Sequence, residues 1–410
     1  MQENRYKYLW SKGCNHALVS GMKYRLLTLC LLPFLCLYAS LAHAQPVEPQ
    51  TPHWSEAQVE RLVEWLEFSR DDALNISDDQ IAAIRAAQES GDGGLVDGTA
   101  TGAAKALLHG YRKGCCDASL RTGWRIKSDT PALSPEEEIV AALTQNRLDQ
   151  MFIAAKPRHP FYRALRKAYA QESEPMRRAA LAANMDRWRW MPRKLGTRYL
   201  LVNAASFEAT LWEGEKLAGR WAVIVGKTRS PTPVFQATVE GVIFNPWWEI
   251  PSSIAAEGIA AMVNRNPAAA AKKGYIRQGG RYRQKPGPNN ALGRMKLVMP
   301  NPYSVYLHDT PAKALFERDV RAFSHGCVRV GGALDLATTL LSDNPDWNRE
   351  KVDAVVASRI TRKALLTDPI PVYVAYFTAE PDDDGMMRFF PDIYRRDTAA
   401  VSPDQGKPCG

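Results

Sequence analysis

Apolar residues between about positions 55 and 190 recur at the three- and four-residue spacing of amphipathic helices. Val59, Leu62, Val63 and Leu66 show it most clearly, and Ser55 just before them suits an N-cap, because its hydroxyl can accept from a free N–H of the first turn. Further helices are predicted at 81–87, 103–111, 135–148 and 161–170. The glycines of 91–94 and the prolines at 131, 157 and 160 separate them. We find no convergent polar cluster here, so a scaffolding module is predicted.

From about Arg198 the pattern changes to short runs of β-branched and aromatic residues between Gly, Pro and Asn turns. Strands are predicted at 199–202, 210–212, 221–225, 239–244, 304–307 and 371–377. The predicted fold class is α+β, in which a helical N-terminal scaffold module (45–190) precedes a mostly antiparallel β domain (191–397). A flexible tail (398–410) is expected to follow.

A long segment, 251–293, interrupts the predicted strands. It is rich in basic residues: Lys272, Lys273, Arg277, Arg281, Arg283 and Lys285. Loops of this length are uncommon in compact domains unless they are functional or disordered. Two interpretations remain open, a lid-like basic flap over a substrate that carries carboxylates and a solvated, disordered insertion.

The N-terminus has the layout of a secretory signal. Lys23 and Arg25 precede an apolar run at 26–41 that ends in the small-residue pattern Ala42-His43-Ala44. We predict a signal region at 1–44, with Met22 as the start and cleavage after Ala44. The run is shorter than the about 20 residues of a membrane span, and no second run follows. We therefore expect export to the periplasm, with no stable membrane span after cleavage.

Charge and histidine placement exclude several function classes. The net charge is +9 for the whole chain and +5 from Gln45 onward, a mild excess without a basic helix or stacking motif, so no nucleic-acid partner is expected. The seven histidines are scattered, whereas zinc sites use clustered Cys and His ligands. We predict no metal and no cofactor.

Four cysteines remain after the signal: Cys115, Cys116, Cys327 and Cys409. They form no regular disulfide framework. The neighbours Cys115 and Cys116 could form only a strained vicinal disulfide or pair elsewhere, and Cys409 lies in the polar tail. Cys327 is the candidate for chemistry.

Cys327 belongs to the run Ser324-His325-Gly326-Cys327, and His308 ends a predicted strand fifteen residues before that run. A free thiol has a pKa of about 8.5, so a nucleophilic cysteine needs a nearby base or cation. A lone cysteine is more often an inert core residue, but the combination favours a nucleophile with His308 as its base. Gly326 allows backbone N–H groups beside the thiol to form an oxyanion hole. Apolar spacing after Gly332 predicts a helix packed on one face.

At these residues the chain resembles the L,D-transpeptidase catalytic domain, whose signature is a His, a spacer in the mid-teens and Ser/Thr-His-Gly-Cys. The likeness covers about residues 184–395, and within this range the chain resembles the large periplasmic branch of the family. The following segments also carry it: Asn184-Met185-Asp186-Arg187-Trp188-Arg189-Trp190, Val225-Gly226-Lys227, Thr232-Pro233-Val234-Phe235, Asn245-Pro246-Trp247-Trp248 and Asn290-Ala291-Leu292-Gly293.

The resemblance implies peptidoglycan tetrapeptide stems as donor and acceptor. Cys327 would attack the carbonyl between the third and fourth stem residues, release D-alanine and form a thioester, which an amine of a second stem resolves as a 3→3 cross-link. His308 would be the general acid and base, oriented by the backbone carbonyl of Asp309. The remaining expected roles are site support for His325 and Ser324, with Ser324 also a candidate substrate contact, and substrate binding for Arg329, Tyr306 and Trp248.

Large members of this branch insert a peptidoglycan-binding module before the Asn184 segment, where this chain has only 171–183. We expect that module to be absent, which leaves room for a recruiting envelope protein. Two alternatives stay open: a hydrolase on the same scaffold, such as an L,D-carboxypeptidase or amidase-type enzyme, and a non-catalytic wall-binding scaffold with Cys327 in a disulfide, for instance to Cys409. A papain-like peptidase fits less well because its cysteine precedes its histidine.

Overall fold

The computed structural model describes residues 52–74, 76–114, 121–129 and 131–397. The predicted signal region 1–44, the tail 398–410 and Cys115, Cys116 and Cys409 lie outside the described residues. Within the described ranges, none of the helices combines the length and apolar composition that a membrane crossing requires.

The N-terminal part is helical, as predicted. Ser55 caps the first helix through a capping box with Gln58. The prediction of one helix at 135–148 was wrong, because Asn146 adopts a positive φ of 51° that ends the first helix before the next begins. The helices are α1 (Glu56–Phe68), α2 (Ser77–Ser90), α3 (Gly93–Lys113), α4 (Pro135–Thr144), α5 (Leu148–Ala155), α6 (Pro160–Gln171) and α7 (Pro175–Arg189). 

The C-terminal part is rich in strands and completes the α+β fold. A short strand, β1 (Trp124–Arg125), comes from the helical region, which the sequence pattern did not predict. The other strands are β2 (Arg198–Asn203), β3 (Glu208–Glu213), β4 (Lys216–Gly226), β5 (Val234–Phe244), β6 (Trp248–Glu249), β7 (Tyr275–Gln278), β8 (Arg281–Gln284), β9 (Met295–Val298), β10 (Leu307–His308), β11 (Ala322–Ser324), β12 (Val328–Val330), β13 (Arg362–Ala375), β14 (Ala379–Pro381) and β15 (Met387–Phe389). The remaining helices are α8 (Ser252–Ile254), α9 (Ala260–Arg265), α10 (Pro267–Lys272), α11 (Ala333–Leu340) and α12 (Arg349–Ser358).

Eight strands form a closed ring in the order β5-β13-β2-β3-β4-β12-β10-β9, because β9 pairs with both β10 and β5. Most neighbours are antiparallel, whereas β13–β2 and β10–β12 are parallel. The long C-terminal strand β13 lies between β5 and β2, so the chain after Cys327 returns to complete the sheet. Closure removes exposed sheet edges and holds the strands that carry His308 and the Cys327 turn on a fixed frame.

The helices pack into two separate hydrophobic cores. Helices α1–α5 surround one cluster, centred on residues such as Leu62, Leu107 and Phe152. Helices α6 and α7 contribute instead to the core of the strand domain, where Trp188 stacks on Phe377 at 4.7 Å between ring centroids. The buried Asn184 side chain donates to Thr378 in the same region. Helix α7 is therefore packed as part of the strand domain.

The insertion 251–293 is ordered, which contradicts the interpretation of it as a disordered segment. It contains α8, a π-helical turn (Ala255–Ile259), α9, α10 and the strands β7 and β8, which pair with β6 in a separate three-stranded sheet. A small apolar cluster of Trp248, Ile250, Ala255 and Leu292 lies beneath it. Burial of these side chains gives the segment a core of its own.

The strand predicted at 304–307 is shorter and later in the structure, where only Leu307–His308 is extended. Ser304 has a positive φ of 54°, outside the range of a strand. The Asn301 side chain accepts hydrogen bonds from the backbone N–H groups of Tyr303 and Val305. Asn301 therefore stabilises a turn in place of the first part of the strand.

Candidate active site

Strand pairing brings the candidate nucleophile and base together. Strand β10 runs parallel to β12, with His308 opposite Arg329. One step earlier, the Val328 N–H donates to the Tyr306 carbonyl at 3.1 Å, so Cys327 immediately precedes the paired part of β12. Cys327 and His308 line the same cavity. The fifteen-residue spacer thus closes a loop between two adjacent strands.

His308 is buried and held in one tautomer. Its Nδ1 lies 2.5 Å from the carbonyl oxygen of Asp309, and a carbonyl only accepts, so Nδ1 carries the proton and Nε2 keeps a lone pair. Burial is the main cause that lowers the pKa of His308 to about 4, and the positive charge of Arg329 adds to it. His308 is therefore a neutral imidazole at neutral pH, able to accept a proton at Nε2.

The backbone carbonyl of Asp309 is fixed through the buried side chain of the same residue. The carboxylate accepts from the N–H and Nε of Arg294 and pairs with Lys313. Burial alone would raise the pKa of Asp309, but the contacts with Lys313 and Arg294 leave that pKa lowered overall. The charged carboxylate anchors the residue whose carbonyl orients His308.

Cys327 is partly exposed, and its Sγ lies 3.9 Å from the carbonyl oxygen of Ser304. It is the one cysteine within the described residues. Burial raises the pKa of its thiol, while hydrogen bonding with Tyr306 and the charges of Arg329 and Lys296 oppose that rise. The resting pair is therefore a neutral thiol beside a neutral imidazole, because a desolvated site penalises both charged forms.

Hydrogen bonds from buried side chains stabilise the turn before Cys327. The buried Ser324 hydroxyl donates to the carbonyl of Cys327 and accepts from the N–H of Gly326 at 3.0 Å. Gly326 has a φ of +115°, which side-chain-bearing residues rarely adopt. Thr232 donates to the Gly326 carbonyl at 2.9 Å. Since the Gly326 N–H is engaged, the donor available for an oxyanion is the N–H of Cys327, which has no partner among the described residues.

The cavity around these residues measures about 1180 Å³ and extends under the insertion. Among its lining side chains, Arg229, Arg281 and Arg329 have no carboxylate partner in the described part of the chain, while Glu249 pairs with Arg283. Arg329 is partly buried, whereas Arg229 and Arg281 are exposed. Guanidinium groups attract carboxylates and can hold them with two hydrogen bonds. The cavity is therefore suited to an acidic, extended substrate.

His325 lies at the rim of the cavity and contacts the insertion. Its Nε2 is 2.9 Å from the Nζ of Lys227 and 3.0 Å from a carboxylate oxygen of Glu257. An ammonium group only donates and a carboxylate only accepts, so Nε2 bonds one of them at a time, depending on its protonation. This exposed position agrees with a supporting part for His325 and differs from the buried geometry of His308.

The three remaining predicted residues also line the cavity. Tyr306 packs edge-on against His308 with ring centroids 5.6 Å apart. Trp248 is almost fully buried in β6, and Arg329 is partly buried with a pKa lowered by burial. Ser324 belongs to the turn, as described, so its side chain supports the site and does not face a substrate as a free group.

Sequence reasoning assigned no role to Lys227 or Glu257. Lys227 lies in the Val225-Gly226-Lys227 segment that carried part of the family resemblance, which was a usable signal. Glu257 had no such signal in the sequence, because its contact with His325 depends on how the insertion folds back over the strands.

Comparisons with known proteins show what the chain is similar to. Residues 197–359 match the model of the L,D-transpeptidase catalytic domain (YkuD), and residues 48–168 match the Scaffold domain. A Haemophilus influenzae protein provisionally named an L,D-transpeptidase is 31% identical over 219 residues. That match covers 48% of this chain and 44% of the relative, so it spans less than half the length of the relative.

Solved structures give a weaker match. An L,D-transpeptidase from Mycobacterium tuberculosis has 13% identity and a TM-score of 0.23, with 43% of this chain and 57% of that chain covered. L,D-transpeptidase 3 from Mycobacterium tuberculosis, with a faropenem-derived adduct, has 14% identity and a TM-score of 0.24, with coverage of 44% and 60%. Similarity at this level adds nothing to the family match. Residues 197–359 are therefore similar to the L,D-transpeptidase catalytic domain, and the match to the Scaffold domain precedes them in the chain.

Proposed function

We propose that the chain is a peptidoglycan L,D-transpeptidase that forms 3→3 cross-links through a thioester on Cys327. The observation that carries the proposal is a neutral His308 in one cavity with a partly exposed thiol. Its Nδ1–H donates a hydrogen bond to the Asp309 carbonyl, which leaves the lone pair of Nε2 as the proton acceptor. This arrangement provides a nucleophile and a base that can accept its proton.

In the first half-reaction, the Cys327 sulfur attacks the carbonyl between the third and fourth residues of the donor stem while its proton passes to Nε2 of His308. The oxyanion accepts a hydrogen bond from the backbone N–H of Cys327. The imidazolium then protonates the leaving nitrogen, the C–N bond breaks and D-alanine departs. The stem remains bound as a thioester, and His308 is neutral again.

In the second half-reaction, the side-chain amine of a second stem attacks the thioester carbonyl. His308 accepts the amine proton and returns it to the departing Cys327 sulfur, so the thiol and neutral imidazole are restored. Water in place of the amine would yield a trimmed stem, which is the carboxypeptidase outcome. The chemistry of the thioester is shared, so the acceptor decides which activity occurs.

The unpaired arginines give the cavity its substrate preference. Arg329 is beside both reacting groups, while Arg281 comes from the insertion and Arg229 from the loop after β4. We assign Arg329 to the donor stem and the other two to carboxylates of either stem. The lid function of the insertion follows from the same arrangement, since its residues form one wall of the cavity.

The proposed substrate lies in the bacterial envelope, so the proposal includes export to the periplasm through the signal region 1–44. Recruitment by an envelope protein remains part of the proposal.

Incubation of the purified chain with disaccharide tetrapeptides, followed by mass spectrometry, tests the function. We expect dimers that lack one D-alanine and whose cross-link joins the third residues of both stems. Accumulation of tripeptides alone would contradict transpeptidation and support the hydrolase. A second assay follows the mass of the protein after carbapenem treatment, in which the wild type gains the drug and Cys327→Ala does not.

Ser304→Ala is the matched control for the adduct experiment. Ser304 lines the cavity, but only its backbone carbonyl contacts the thiol, so its side-chain hydroxyl is dispensable for acylation. An adduct on Cys327→Ala would exclude Cys327 as the nucleophile. No adduct and no product with the wild-type chain would favour the non-catalytic scaffold.

A further inference from the structure

The direction of one peptide group decides whether the backbone N–H of Cys327 can reach an oxyanion. This peptide joins Gly326 to Cys327, and Gly326 has a φ of +115°. A glycine adopts several backbone conformations at little cost, so Gly326 by itself does not fix the direction of the peptide. Contacts from the surrounding structure must therefore hold it.

The hydroxyl of Thr232 provides such a contact. It donates to the carbonyl oxygen of Gly326 at 2.9 Å and accepts from the N–H of Gly226, also at 2.9 Å. Thr232 is 1% exposed and does not line the cavity that contains Cys327. The hydroxyl is therefore out of reach of a bound substrate, and its contacts are with the backbone.

The bond to the Gly326 carbonyl also fixes the neighbouring N–H. In a trans peptide the C=O and the N–H point in opposite directions, so a carbonyl held by Thr232 directs the N–H of Cys327 away from Thr232. Hydrogen bonds in a chain polarise one another, and this chain runs from the Gly226 N–H through the Thr232 hydroxyl to the Gly326 carbonyl. Both effects favour donation by the Cys327 N–H to a developing negative charge.

Tyr394, near the C-terminal end of the described residues, holds Thr232 in place. Its hydroxyl accepts from the N–H of Thr232 at 3.2 Å and donates to the carbonyl of Gly226 at 2.6 Å, so it joins the two ends of the loop between β4 and β5. The Tyr394 ring stacks on Tyr376 with centroids 5.3 Å apart. Because Tyr376 directly follows β13, the loop is attached to the sheet by a segment far along the chain.

We propose that Thr232, held by Tyr394, is a positioning residue that aims the N–H of Cys327 at the carbonyl oxygen of the acyl donor. This role rests on the proposed function, because an oxyanion forms only if Cys327 attacks a carbonyl. The role is the same for transfer and for hydrolysis, since both pass through one thioester.

Two reactions of Cys327 separate oxyanion stabilisation from the general reactivity of the thiol. A carbapenem is attacked at a carbonyl carbon and forms an oxyanion, whereas iodoacetamide is attacked at a saturated carbon, releases iodide and forms none. Thr232→Val removes the hydroxyl and keeps a β-branched side chain. We expect its rate constant for carbapenem acylation to fall about tenfold, less than the roughly 100- to 1,000-fold loss when an oxyanion donor is removed outright. The rate constant for alkylation should not change.

Thr210→Val is the matched control. The buried hydroxyl of Thr210 also lies between one donor and one acceptor, Nε1 of Trp212 and the carbonyl of Leu201. These contacts are within β2 and β3, and Thr210 does not line the active-site cavity. Both rate constants should therefore equal those of the wild type.

Two further variants test the same role by other changes. Thr232→Ser keeps the hydroxyl and should recover most of the acylation rate. Tyr394→Phe keeps the ring and leaves the Thr232 hydroxyl in place, so acylation should fall less than in Thr232→Val, again with alkylation unchanged. If Thr232→Val does not fold, Tyr394→Phe decides by the same two rate constants.

The possible outcomes separate this role from the proposed function. Acylation at the wild-type rate in Thr232→Val, or equal losses of acylation and alkylation, would overturn the role of Thr232 and keep the function. A loss of acylation in Thr210→Val as large as that in Thr232→Val would do the same. A wild-type chain that is alkylated but never acylated would reject the proposed function and this role with it. A wild-type chain that is acylated but only trims stems to tripeptides would reject transpeptidation and keep the role of Thr232.

Discussion

The carboxylate of Glu257, in the insertion, lies 3.0 Å from Nε2 of His325, two residues before Cys327. This contact joins the wall formed by the insertion directly to the turn that carries the thiol. Lys227 reaches the same nitrogen from β4 and its following loop. The insertion is therefore attached to the active-site turn by an exposed, polar contact that can exchange partners.

Removal of this contact should release the insertion. In Glu257→Ala we expect faster backbone hydrogen exchange across 252–265 and a higher KM for stem substrates. The free energy of unfolding should change by less than about 1 kcal/mol, because exposed ion pairs contribute little to it. Asp353→Ala is the control, since Asp353 forms an equally exposed pair with Arg349 within α12 and does not line the cavity. Unchanged exchange in Glu257→Ala would show that other contacts hold the insertion.

The rate of acylation should depend on pH through His308. Its pKa is lowered to about 4 by burial and by Arg329, so the base form is present above that pH and disappears below it. We expect the rate constant for carbapenem acylation to be constant near neutrality and to fall only as the pH drops through about 4. A fall centred near the ordinary histidine value of about 6.5 would contradict a neutral thiol–imidazole pair.

Arg329 should influence both reacting groups in the same direction. Its positive charge adds to the effect of burial in lowering the pKa of His308, and it opposes the rise that burial causes in the pKa of Cys327. In Arg329→Gln both pKa values should increase. The acid limb of the acylation profile should move to higher pH, and alkylation by iodoacetamide should require higher pH. A shift in only one of the two profiles would mean that the charge of Arg329 acts on only one of the two groups.

Arg321→Gln provides the control for that experiment. Arg321 donates to the backbone carbonyls of Val223 and Phe207 and does not line the active-site cavity. Loss of a cation there should leave both pH profiles in place.

Acid should destabilise the fold through His159. Its pKa is about 3 in the folded chain and about 6.5 when unfolded, so the unfolded state binds more protons between these values. The stabilisation is complete above pH 6.5 and is lost as the pH falls, by about 1.4 kcal/mol per pH unit. His159→Phe should have a shallower decrease in the free energy of unfolding between pH 6 and 4.5, measured by urea denaturation. Parallel curves for the two proteins would contradict a buried neutral histidine.

Local sequence signals predicted many single elements. Ser55 caps α1, and the apolar spacing after Gly332 corresponds to α11. Gly326 was a candidate because a residue without a Cβ lets the backbone turn freely beside the thiol, and in the structure it has a φ of +115°. Elements whose limits depend on side-chain competition were not predictable, as at Asn146 and Ser304, where local polar contacts and positive φ angles end a helix and a strand.

The sequence by itself determined which residues we propose for the chemistry, because His308, its spacer and the Ser324–Cys327 run are close in the chain and their type and order restrict what they can do. Tertiary structure decided the rest. The register of β10 on β12 placed Arg329 beside His308, the fold of the insertion brought Glu257 to His325, and the packing of α7 on the strand domain stacked Trp188 on Phe377. These contacts join residues that are far apart in the sequence. Their distances depend on the closure of the whole sheet and on the packing of the core beneath it, and a local sequence pattern contains no information about either.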